Sequence, residues 1–213
     1  MDRYEMEISP ELLARIQANL TGGPLEGERL AGAFHLHREE ELTNLAFGFF
    51  RYMHDEKNMD FPCSELIWHC VAEFLSERKS SVKGVTPDAF FGMTRAKLEP
   101  HLAGAIGDFL SRRQADAVAM LWGIPYIYDF LLDRRVISAT THRETIQIAA
   151  ALKAEVIKGM GKRLWEFDFI HRWAPPNSVA KGEFEDEAAM FQQTCTPAVP
   201  LAEYGGTANR RLP

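Results

Sequence analysis

Between residues 39 and 55 the apolar side chains Leu42, Leu45, Ala46, Phe49, Phe50 and Met53 fall at steps of three and four. A helix of 3.6 residues per turn gathers those positions on one face, and that face has to be buried against another element. Three acids at Glu39, Glu40 and Glu41 suit the positive end of that helix's dipole. A second stripe begins near Pro62 or Ser64 and runs to about Arg78, where Leu66, Ile67, Cys70, Val71, Phe74 and Leu75 share one side. Strand-like alternation hardly occurs. The chain therefore predicts an all-α fold, a single globular bundle of about seven or eight helices.

Cap signals place the other helices. Ser9-Pro10-Glu11 opens one that reaches about Leu20, and a weaker stretch over 25–36 carries Gly27 and Gly32. Thr86-Pro87-Asp88 starts another, which Glu99-Pro100 breaks; Pro100 opens the next through Ala103, Ile106, Phe109 and Leu110. Two more are expected over 114–122 and 125–134. The capping box Thr141-His142-Arg143-Glu144 starts what should be the longest helix, running through Leu152 and Leu164 towards Trp173, with Gly159 and Gly161 as places for a bend. Pro175-Pro176-Asn177 ends the regular part. The expected division is a helical domain over 1–173 and an irregular C-terminal tail over 174–213, with an amphipathic patch at 183–193.

With 213 residues, 46% of them hydrophobic and 25% charged, the chain can build one sizeable core. The net charge of −6 disfavours nucleic acid, whose phosphates demand a basic face. The apolar run over 117–128 holds Gly123 and Pro125 and falls short of the roughly 20 residues that span a bilayer, so it reads as core, and no membrane contact is expected. The first residues hold no apolar run of the signal-peptide kind. Cys63, Cys70 and Cys195 are odd in number and irregular in spacing, which fits a reducing cytoplasm.

Chemistry-bearing residues are few. His54-Asp55 closes the first stripe and, with His37 or His35 upstream and Asp108 or Asp116 downstream, offers ligands for a divalent metal ion, as in helical metal-dependent phosphohydrolases. The same residues also read as the polar end of a helix. Cys63 and Cys70 stand two turns apart, about 10 Å along a helix axis, too far for one zinc ion. Cys70 belongs to the apolar stripe, and Cys63, near a helix start, is the candidate reactive thiol. Asp168 and His171 carry a carboxylate–histidine spacing once only. Nucleophile elbows and phosphate loops are missing; Gly159-Met160-Gly161-Lys162 comes nearest, with no strand before it.

Aromatic residues remain. Trp165, Phe169 and Trp173 recur every four residues and, on an α-helix, make a stripe that serves either a core or a partner. The leading expectation is a non-catalytic binding or regulatory protein with no resident cofactor, meeting a protein partner through Trp165, Phe169 and Trp173; self-association is one form such contact can take. The alternatives are a metal-dependent hydrolase using His37, His54 and Asp55, and a DNA-binding protein whose helix-turn-helix would place Arg143 and its neighbours on the duplex.

Overall fold

The structure, a computed structural model, describes residues 38–77, 86–107 and 111–195, with positions 10, 14 and 17. Apart from those three positions, the helices expected over 9–20 and 25–36 lie outside the described residues, as do His35, His37, Asp108, Phe109 and Leu110. Seven α-helices follow in order: α1 Arg38–Lys57, α2 Phe61–Glu77, α3 Pro87–Phe91, α4 Arg95–Gly107, α5 Ser111–Asp133, α6 Ala139–Met160 and α7 Lys181–Cys195. A 3-10 segment, Gly161–Arg172, joins α6 to the loop before α7. The described residues contain no strand, and the fold is an all-α bundle.

The centre of the bundle is α5. Every residue from 117 to 131 is buried, and α1, α2, α4, α6 and the 3-10 segment all pack on this helix. By length and composition α5 would pass for a membrane span, but 83% of its apolar window is buried inside the bundle. Two helices were expected here, separated before Pro125; one continuous helix is found. A proline inside a helix costs about 3 kcal/mol, and each large apolar side chain fully buried contributes about 1.5–3 kcal/mol, so the packing of this stretch outweighs the break. Gly123 lets α2 come close: a Cβ there would stand 2.4 Å from Ile67 Cγ2.

Pro100 is likewise inside α4, near exposed neighbours whose freed carbonyls water can reach. The actual stop lies earlier, at Gly92, so the helix begun by Thr86 and Pro87 lasts only to Phe91. Thr86 caps it through Ala89 N–H, as its sequence suggested.

Helix α6 begins three residues ahead of the expected capping box. Ser138 is its cap, its hydroxyl accepting from Thr141 N–H, while Asp88 Oδ1 accepts from Ser138 N–H at 2.8 Å. Burial alone would raise Asp88; hydrogen bonds from Thr141 and Ser138 outweigh it and hold the carboxyl below its usual range. At its other end α6 stops at Gly161, whose φ of +48° lies in the region that favours glycine. Beyond it Leu164, Phe167 and Ile170 are buried at steps of three, the period of a 3-10 helix.

The helical body extends past Trp173. Within the stretch expected as tail, α7 buries Phe184, Phe191 and Cys195 against the 3-10 segment and α6.

Candidate functional site

Two carboxylates, one buried and one partly buried, organise the region where α5, α6 and α7 meet. Asp129, on the buried run of α5 and only 6% exposed, accepts from Ser178 N–H at 2.9 Å and from Ser178 Oγ at 3.2 Å. Its other oxygen lies 2.8 Å from His142 Nε2, on the first turns of α6. The residues resemble a nucleophile set, but their order differs. A catalytic histidine sits between acid and hydroxyl, whereas here the acid holds both. This geometry fastens a loop.

Other groups clamp the same loop. Lys57, buried at the end of α1, donates to Pro175 O at 3.2 Å and Asn177 Oδ1 at 2.6 Å, and lies over the Tyr52 ring at 5.7 Å. Tyr126 OH donates to Ala174 O at 2.8 Å, and Trp173 meets the Tyr126 ring edge-on at 5.9 Å. Burial first pushes both Tyr52 and Tyr126 well above the ordinary phenol range and keeps them neutral; Tyr126 donates to the loop, while the buried Tyr52 hydroxyl has no hydrogen-bond partner among the described residues.

Glu187 of α7 is the second carboxylate. Lys153 Nζ donates to it at 2.7 Å and Trp122 Nε1 at 3.0 Å, while His171 Nε2 stands 3.5 Å away. Burial alone would raise Glu187, yet His171, Lys153 and Trp122 together bring it down to about 2. The His171 ring is packed 4.6 Å from Phe191 and 5.9 Å from Phe184, and Lys153 lies 5.8 Å from the Trp122 ring centre.

Between these two nodes, α6 and α7 enclose a cleft of about 320 Å3. Ile146, Ala150, Lys153 and Ile157 supply one row of α6, at helical steps of four, three and four, and Pro125, Val179 and Met190 complete the apolar walls. Ser178 and the Lys153–Glu187 pair line its polar part; Glu183 and Asp186, both exposed, stand on α7. Among the described residues neither of these two acids has an ion-pair partner. Met190 is 45% exposed. Apolar walls, a few convergent polar groups and a strongly shifted carboxyl make this cleft the candidate site.

A wider, more open groove of about 850 Å3 lies at the α1–α2 corner and contains two of the three expected metal ligands. His54 is exposed, and Asp55 is engaged by Arg51 at 3.0 Å. The third, His37, lies outside the described residues. Among the described residues no group of three or more His, Cys, Asp and Glu side chains converges on a point that a metal ion would occupy. Phe50 and Phe61 form the groove's aromatic edge at 5.0 Å, with Phe61 60% exposed. Cys63, beside it, does not behave as an activated thiol: burial and Asp60 push it up to about 11. Cys70 is buried in the stripe, as expected, and burial raises it to about 12.

Of the expected aromatic contact residues, Trp165 and Phe169 have side chains outside the described set, and Trp173 is half-buried on Tyr126. Their four-residue spacing marks one face of an α-helix; a 3-10 segment aligns residues three apart. The expected helix-turn-helix falls on the α5–α6 turn, where Arg143 is exposed but the preceding helix is the buried centre of the bundle. Sequence reasoning missed Lys153 and Glu187. One local signal was present: a lysine in an otherwise apolar row of α6. No protein family, curated protein or solved structure matches the chain.

Proposed function

We propose that this chain is a non-catalytic helical binding module that works through protein–protein contact, seating a basic segment of its partner at the α6–α7 cleft. The observation that carries the reading is the charge balance of that cleft. Of its four charged lining residues, Lys153 and Glu187 neutralise each other at 2.7 Å, which leaves Glu183 and Asp186 in excess. An occupant that brings positive charge meets complementary potential there. A methionine at the edge suits a surface that adapts to its partner. The Asp129, His142 and Ser178 set is occupied in fastening a loop and supplies no activated nucleophile.

Short labelled peptides of matched length, one set rich in lysine and leucine and the other in glutamate and leucine, test this by fluorescence polarisation. The lysine set should bind at least about tenfold more tightly, a difference of about 1.4 kcal/mol. Ala154 is exposed and lines the cleft, so Ala154→Trp should fill it and abolish binding while leaving the melting temperature in place. Equal binding of both sets, or undiminished binding to Ala154→Trp, rejects the reading.

A further inference from the structure

We infer that the cleft recognises an apolar anchor side chain with a lysine or arginine beside it, the anchor entering the cleft and the cation staying at Glu183 and Asp186. This inference rests on the binding role proposed above and specifies the partner's chemistry.

Size sets the first limit. A volume of about 320 Å3 lies at the lower end of small-ligand pockets, roughly 300–1,000 Å3. An α-helix with its side chains is about 10 Å across, so a single side chain enters, not a helix.

Charge sets the second. A cation pushed inward would meet the Lys153 ammonium, and Glu187 already accepts from Lys153 and Trp122. Removing a second cation from water beside an existing pair is costly, whereas an apolar group meets Ile146, Ile157, Val179 and Met190. At Glu183 and Asp186 the conditions reverse. Both are exposed, lack ion-pair partners among the described residues, and leave a partner's cation largely hydrated. The pattern is a buried anchor with a charged rim that selects sign.

The test uses the full chain and four peptides that differ at two adjacent positions: leucine–lysine, leucine–acetyl-lysine, leucine–glutamate and lysine–lysine. Leucine–lysine should bind best, acetylation should weaken it about tenfold, and lysine–lysine should lose binding because it has no anchor. The surface double variant Glu183→Lys with Asp186→Lys should invert the preference, taking leucine–glutamate over leucine–lysine. Lysine–lysine binding as well as leucine–lysine overturns the inference, and so does a double variant that keeps the original preference. The first result, obtained with peptides that Ala154→Trp still excludes, leaves the general binding role standing; the second also removes the charge balance on which that role rests. Failure of every peptide to bind the wild-type chain removes both.

Discussion

Arg135 occupies a position that chemistry reserves for glycine. The end of α5 closes with Val136 N–H donating to Leu131 O and Arg135 N–H to Leu132 O, both at 2.9 Å, the paired hydrogen bonds of a Schellman turn. That turn needs a left-handed residue, and Arg135 has φ +56°. An L-residue with a Cβ loses about 1–2 kcal/mol there. Arg135 is exposed and has no described role at the cleft, so Arg135→Gly should raise stability by about 1 kcal/mol in urea denaturation. No gain would mean that the arginine side chain offsets its own strain.

At the scale of elements, the close approach of α2 to α5 is set by one missing side chain. A Cβ on Gly123 would lie 2.4 Å from Cγ2 and 3.0 Å from Cγ1 of Ile67, which is fully buried. Helix propensity alone would make Gly123→Ala favourable by about 1 kcal/mol. Overpacking of a rigid β-branched neighbour, worth about 1–3 kcal/mol, should prevail and destabilise the protein. Adding Ile67→Ala should recover part of that loss, and thermal denaturation of the three variants reads the sign. Additive losses would show that the two residues do not oppose each other.

The legibility of these elements follows from what holds each of them. The stretch over 39–55 and the one from 62 or 64 to 78 are legible because their apolar periodicity is local, and α1 and α2 depart from those bounds by one to three residues. The interruptions read worse. Pro100 and Pro125 are strong local stop signals overridden by packing, and Gly92 is a weak one that prevailed. Ser138 took the cap from Thr141 because Asp88, fifty residues earlier in the chain, holds its N–H. Trp165 and Phe169 fall four apart, the period of an α-helix, but the segment that carries them is wound as a 3-10 helix from Gly161 on. The cleft was nearly invisible, because Lys153 and Glu187 belong to different helices and only the fold pairs them.

For the molecule as a whole, part-buried polar bonds fasten the C-terminal part to the bundle. Lys57, Tyr126 and Asp129 hold the loop over 173–180, and Glu187 holds α7. Glu187 carries a predicted acid dependence. Its folded value of about 2 lies below its ordinary 4.5, so its contribution is complete above about 4.5 and is lost as pH falls towards 2. Wild-type stability should fall through that window by on the order of 1–3 kcal/mol from this group. Glu187→Gln should be less stable near neutrality, because Lys153 loses its charge partner, and should have a flatter profile on acidification. Circular dichroism melts from about pH 2 to about pH 6 decide it, and parallel profiles for the two proteins would remove Glu187 from the account.

The 3-10 winding of Gly161–Arg172 has a consequence for reach. Its twelve residues advance about 2.0 Å each instead of about 1.5 Å, so they cover about 24 Å where an α-helix would cover about 18 Å. That extra length helps bring Trp173 to the Tyr126 ring without any added chain. Shortening the segment by one residue would withdraw about 2 Å of span and turn everything beyond it by a third of a revolution, bringing Lys57, Tyr126 and Asp129 opposite the wrong partners.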